Sequence, residues 1–268
     1  MEQSENSDFV TDGNLSIYRF SETVLETTVL LLESGAHCER INRNIQRIAA
    51  NTPFNVEMLL SFTAVSISVF DKNNIQSVVT ANRRVKHHGA HFGILTKTSL
   101  LTWQLFDNEI SFSEFDVKMK DLSYTPKYPI WLVRFFIGIA CACLCLLAGG
   151  SWVDGSFALV ASFFGLIVRQ EMIKNGFNQM VSITCSSFIT TIIAAMNVLF
   201  DLGDYPTLTV ATAVLFLIPG VPLINSIIDL MEGYIPVGLA RGVHGGFILL
   251  CIAVGMFLSM TLIGFNNF

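Results

Sequence analysis

Charge is what the second half of this sequence lacks. Residues 130–268 hold only four of the 16 Lys and Arg and six of the 21 Asp and Glu. So long a stretch of apolar residues cannot hydrate its own surface, which excludes a soluble second half and points to a bilayer. A glycine-rich loop ending in Gly-Lys-Ser or Gly-Lys-Thr is also missing, which argues against a nucleotide-driven pump. Nothing near Met1 resembles a secretory leader, because Met1 to Asn14 is acidic and polar. The six cysteines make no disulfide framework. Cys141, Cys143, Cys145, Cys185 and Cys251 fall in apolar runs and Cys38 in the charged half, so they read as small packing residues.

What is present divides the chain at about residue 129: a charged domain over 1–129 and a transmembrane domain over 130–268. Five runs are long enough to cross hydrocarbon at about 20 residues each. They cover 130–149, 155–170, 179–200, 206–227 and 243–265, the second being short and the fourth interrupted. Lys127, Arg134, Arg169, Lys174 and Arg241 all fall at one set of connectors, while 149–154 and 201–204 carry no Lys or Arg. The positive-inside rule then puts the N-terminus in the cytoplasm and Phe268 outside. Trp131 and Trp152 stand at opposite ends of the first run, as interfacial aromatics do. Asp154, Asp201 and Asp204 read as ordinary residues of outer connectors.

The first domain reads as α+β with a small core. Ile17, Phe20, Val24, Leu31 and Leu32 recur at helical spacing. After Gly35 a second helix sets Cys38, Ile41, Ile45 and Ile48 on one face and Arg40, Arg43 and Arg47 on another, facing solvent, anionic lipid or an anionic ligand. Met58 to Phe70 and Ile75 to Asn82 read as two strands of a hairpin joined by Asp71-Lys72-Asn73-Asn74. Gly89 to Phe106 reads as a helix burying Leu95, Leu101 and Leu105. Ser111 and Glu114 resemble a capping box for a helix that turns Phe115, Met119 and Leu122 inward. His87, His88 and His91 make a poor metal set, since Gly89 breaks the helical spacing and Arg83, Arg84 and Lys86 would repel a cation. No metal or cofactor is expected.

The fourth run carries the chemistry. Pro219-Gly220-Val221-Pro222 breaks it, and a proline removes a backbone donor and clashes with the preceding turn. At membrane depth such a break is tolerated where the backbone is buried in protein or lines a wet cavity, and transporters build solute sites this way. Beyond it Asn225, Asp229 and Glu232 project from one side of a helix that Gly233, Tyr234 and Pro236 end. Arg241 and His244 follow, three apart, and Gly238, Gly242 and Gly246 permit close helix contact. Ionisable groups beside a membrane are functional candidates; the plainer reading ends the span near Ile227 and leaves Asp229, Glu232 and Arg241 in a cytoplasmic loop. In the third run Ser182, Thr184, Ser186, Ser187, Thr190, Thr191 and Asn197 serve either interhelical hydrogen bonds or a polar path.

The run Pro219 to Asn225, then Asp229-Leu230, then Gly238-Leu239-Ala240-Arg241-Gly242, resembles the signature of the threonine/serine exporter (ThrE) family. Leu31 to Ala36 with Arg40 is similar to that family's opening helices. The resemblance covers nearly the whole chain and matches the larger subunit of the split, YjjP-like form. It implies an α-helical multi-pass membrane protein of about five transmembrane helices, one of them broken, behind a cytosolic α+β domain. It also implies export of threonine and serine or short dicarboxylates such as succinate across the bacterial inner membrane, and a smaller, separately encoded YjjB-like membrane subunit as partner. Neither an enzyme nor a nucleic-acid binder is expected. The residues themselves add Asn225, Asp229, Glu232, Arg241 and His244 as candidate solute or ion ligands, with a buried acid carrying the coupling proton. The rival reading is a membrane-anchored sensor with its ligand in the first domain.

Overall fold

A computed structural model describes residues 15–74, 76–85, 89–123 and 128–264. The chain forms two compact units, and their division is not contiguous. One contains the residues up to 126 together with Val221–Gly242; the other contains those from 127 to 220 together with the residues from Val243 onward.

The first unit begins with α1 (Ile17–Glu33), whose N-cap Ser16 accepts a hydrogen bond from Tyr18 N. Gly35 ends the helix: at φ +88° it lets Ala36 N reach back to Leu31 O at 3.0 Å. A Cβ here would also lie 2.6 Å from Gly89 O, so glycine is required twice over. α2 (Cys38–Ala50) buries Cys38, Ile41, Ile45 and Ile48 completely. Its arginines are engaged by neighbours: Arg40 donates to Leu95 O and Ser99 Oγ, Arg43 pairs with Glu39, and Arg47 stacks 4.0 Å over Trp103.

Three antiparallel strands follow, β1 (Phe54–Leu60), β2 (Ala64–Asp71) and β3 (Val78–Arg84), in the order β1-β2-β3. The expected single strand over Met58 to Phe70 is therefore two strands, with a turn between Leu60 and Ala64 closed by Ser61 N to Ala64 O at 2.9 Å. The physical sign of it is parity. Phe54, Val56 and Leu60 are buried at even positions, Val65, Ile67 and Val69 at odd ones, and a straight strand cannot change phase. The β2–β3 hairpin stands as expected, with Asn73 N bonded to Asp71 Oδ1, though β3 starts at Val78 and Ile75 lies outside the described residues. α1 covers β2 and β3 and α2 covers β1, while α3 (Phe92–Phe106) and α4 (Phe112–Ser123) complete the core. Leu95, Leu105, Phe115, Met119 and Leu122 are buried as expected, and Leu101 partly. Ser111 Oγ receives Glu114 N at 3.2 Å. His91 accepts from Ile94 N as the N-cap of α3; His87 and His88 lie outside the described residues.

The second unit contains α5 (Ile130–Leu147), α6 (Trp152–Lys174), α7 (Gln179–Leu199), α8 (Pro206–Ala213) and a 3-10 turn at Leu215–Leu217. α9 (Gly220–Met231) belongs to the first unit, and α10 (Ile235–Ile263) runs from the first into the second. Among the described residues four helices, α5, α6, α7 and α10, are long and apolar enough to cross a membrane, and there are five such spans if α8 and α9 count as one interrupted segment. Two spans are longer than expected: α6 has 23 residues and α10 has 29, so Arg241 lies within a helix and not between two.

Two of the α7 hydroxyls join helices, while Ser182, Thr184 and Thr190 bond carbonyls one turn back. Ser186 donates to Gly165 O of α6 at 2.7 Å and Ser187 to Ile252 O of α10 at 2.8 Å. Close approach of α7 and α10 depends on Gly255, where a Cβ would sit 2.5 Å from Thr184 O and 2.8 Å from Ser187 Cβ. Gly255→Val is expected to destabilise the protein by about 2–3 kcal/mol through overpacking. Thermal unfolding in detergent measures it, and an unshifted transition would show that the two helices can part without cost.

Candidate functional site

Proline chemistry places the interruption. Pro219 cannot donate to a preceding carbonyl and forces Ile218 into extended geometry, φ −64° and ψ 125°. The unwound stretch is shorter than expected, since Gly220, Val221 and Pro222 already form the first turn of α9. There the missing proline N–H costs nothing, because first-turn amides have no intrahelical partner. The motif thus opens a helix more than it unwinds one.

α9 then presents its polar face. Asn225 and Asp229 are buried, Asp229 completely, and Glu232 follows one turn later. Gly233, at φ +87°, ends the helix and α10 returns alongside it. Close packing of the two needs Gly238 and Gly242: Ser226 Oγ donates to Gly238 O at 2.6 Å, and a Cβ on Gly242 would lie 2.7 Å from Ser226 Oγ. Gly246, grouped with them in the sequence, meets nothing within 4 Å.

Four of the five expected site residues converge on the turn between α1 and α2. Asn225 Nδ2 donates to Gly35 O at 2.8 Å, and Arg241 Nη2 to Ala36 O at 2.9 Å. Asp229 Oδ1 accepts from Cys38 N at 2.7 Å, at the first residue of α2, where the helix dipole favours a carboxylate. Arg241 Nη1 stands 3.4 Å from Asp229 Oδ2, a pair whose side chains are 6% and 0% exposed. Glu232 Oε2 lies 3.2 Å from His37 Nδ1. His244, the fifth, is half-buried and belongs to the second unit. Of the three residues that the plainer reading leaves in a loop, Asp229 and Arg241 are buried within helices, whereas Glu232 lies at the exposed turn after α9.

The surroundings tune two further groups. Burial, then the Asp229 charge, pushes the Cys38 thiol up to about 12, so it stays protonated at neutral pH. Burial and the neighbouring Glu39, whose Oε2 is 3.3 Å from the hydroxyl, push Tyr234 up to about 12. Neither His37 nor Cys38 was marked by the sequence as part of the site.

A second polar cluster contradicts the reading of Asp154 as an ordinary connector residue. It is fully buried at the third position of α6, in a capping box with Ser151. Its Oδ2 accepts from Ser151 N, Ser151 Oγ and Tyr205 N, and its Oδ1 from Asn197 Nδ2 at 2.7 Å. Thr209 Oγ1 bonds Asp154 O and receives Asn197 Nδ2. One carboxylate thereby ties α6, α7 and α8.

Four or five apolar spans, an interrupted helix, and a buried acid–base pair just past the interruption define a polytopic membrane protein of the transporter class. Residues 22–263 match the family described as "Putative threonine/serine exporter", and the chain belongs to that family. The "Probable succinate transporter subunit YjjP" of Klebsiella aerogenes is 23% identical over 245 residues, covering 91% of this chain and 93% of its own. Its namesake in Escherichia coli K12 is 24% identical, covering 91% and 94%. The "Probable threonine/serine exporter" of Mycobacterium tuberculosis is 28% identical over 250 residues, which are 88% of this chain and 46% of that protein. No solved structure matches the chain. The two stretches that carry the resemblance in the sequence, 31–40 and 219–242, are those that meet at the α1–α2 turn.

Proposed function

We propose that the chain is the larger subunit of a two-component exporter in the bacterial inner membrane. It moves small carboxylate-bearing metabolites, threonine and serine or short dicarboxylates such as succinate, together with a smaller, separately encoded YjjB-like subunit. Its N-terminus lies in the cytoplasm and its C-terminus outside, and proton flow drives export. The observation that carries this reading is the buried Asp229–Arg241 pair. Asp229 holds the two donors a solute carboxylate would seek, the Cys38 amide at the start of α2 and the Arg241 guanidinium. When Asp229 takes up a proton its claim on both weakens, and the solute carboxylate replaces it. Asn225 hydrogen-bonds the solute, and Glu232 receives the ammonium of an amino acid. The names of the relatives support both solute classes, and the word "subunit" in two of them supports a partner.

The test is efflux of labelled succinate, serine and threonine from vesicles holding this chain, alone and with the smaller subunit. Asp229→Asn is expected to lower flux by about tenfold or more and to flatten its dependence on the proton gradient. Glu232→Gln is expected to affect serine and threonine more than succinate. Wild-type flux in both variants would remove these acids from the mechanism.

A further inference from the structure

His37 has two neighbours with incompatible demands on one atom. As N-cap of α2, its Nδ1 accepts the Arg40 amide at 3.4 Å, which requires a lone pair there. The same Nδ1 faces Glu232 Oε2 at 3.2 Å, a second lone pair. A proton on Nδ1 would reconcile the ring with the carboxylate but would remove the helix cap. Asp229 adds a third donor atom, and one ligand atom from each of the three residues lies within 4.8 Å of the others. Asp229 Oδ2 is buried and accepts no hydrogen bond among the described residues; Arg241 Nη1 stands 3.4 Å away. Arg241 offsets one carboxylate charge and leaves the other.

A cation on Nδ1 would likewise release the Arg40 amide, a bond already long at 3.4 Å, but unlike a proton it engages both carboxylates as well. We propose that His37, Asp229 and Glu232 bind a divalent transition-metal ion, of the Zn2+ or Mn2+ kind. Bonds of about 2.0–2.2 Å place cis ligands roughly 3–3.6 Å apart, so the His37–Glu232 spacing fits and Asp229 closes by a small rotation. An imidazole nitrogen with two carboxylates selects such ions over Mg2+ or Ca2+, which take oxygen alone. Both lone pairs at 3.2 Å become ligands, and water completes the coordination. The ion then ties the α1–α2 turn to the end of α9, two stretches 195 residues apart in sequence. The site rests on this geometry and not on the transport reading; because the two share acids, the ion must leave before Asp229 takes a proton or Glu232 an ammonium.

The test uses the full chain in detergent, stripped with chelator, re-equilibrated with Zn2+ or Mn2+ and desalted, with bound metal measured by mass spectrometry and thermal unfolding recorded in parallel. One ion per chain and a raised Tm are expected, with no rise in Mg2+. Glu232→Gln is nearly isosteric, and His37→Asn keeps an acceptor for the α2 cap. Each is expected to weaken binding at least tenfold, since loss even of outer-shell partners costs that much. No stoichiometric ion in the wild type, or unchanged affinity in both variants, would overturn the site; the second result would assign the metal to histidines elsewhere. Metal content is read on purified protein and export in vesicles, so either conclusion can fail alone.

Discussion

Replacing Arg241 with methionine is expected to destabilise the metal-free protein by about 3–5 kcal/mol, because it leaves the Asp229 carboxylate buried with no cation beside it. Asp229 is 0% exposed and cannot turn to water, and Ala36 O loses its donor in the same step. Methionine matches the arginine stem in volume, so packing is largely kept and the loss is electrostatic. Adding Asp229→Asn should therefore restore part of the stability, since a neutral amide needs no counter-ion while still filling the site. Arg241→Lys should behave more like the methionine variant than its charge suggests, because one ammonium cannot reproduce a fork that reaches Asp229 and Ala36 O from two nitrogens. Denaturant unfolding of the full chain in detergent reads all three. An Arg241→Met protein within about 1 kcal/mol of wild type would mean that the pair is not buried in solution as it is here.

Helices with one apolar stripe were legible because burial and periodicity coincide in them. Phe20, Val24, Leu31 and Leu32 of α1, and Cys38, Ile41, Ile45 and Ile48 of α2, sit where 3.6-residue spacing puts them. The division into β1 and β2 is hard to see because apolar residues recur from 54 to 70 with no glycine or proline at the turn, and only their change of parity marks the reversal. α6 outruns its apolar run because hydropathy ends at Arg169, whereas the backbone stays helical through Glu171 to Lys174, good helix formers outside an apolar core. The polar face of α9 was visible as the four- and three-residue spacing of Asn225, Asp229 and Glu232. Its counterpart was not, because Gly35 O, Ala36 O and Cys38 N are backbone atoms, which every residue has and no motif advertises. Asp154 shows the same limit: its burial comes from Asn197, Tyr205 and Thr209, 43 to 55 residues further along the chain.

Asp154→Ala is expected to be about as costly as the loss of Arg241, again roughly 3–5 kcal/mol, for a different reason. Here no charge is orphaned; donors are. Ser151 N, Ser151 Oγ, Tyr205 N and Asn197 Nδ2 all point at the two carboxylate oxygens, and removing the acceptor strands them, the Asn197 donor in full burial and the other three in part. Each stranded donor costs on the order of 1 kcal/mol or more. Asp154→Asn separates the contributions of shape and acceptance. The amide fills the same volume, and its NH2 is accommodated only facing Asn197, which must then flip to offer Oδ1 and give up its bond to Thr209, so the loss should be about half as large. A cycle between Asp154→Ala and Asn197→Ala should show coupling of about 1–3 kcal/mol, because the two share a 2.7 Å bond and Thr209. Additive losses would mean that the α6 and α7 ends are held independently of this carboxylate. Near-wild-type unfolding of Asp154→Asn would mean that the site needs a polar filler and not an anion, and the group would then act only as a helix cap.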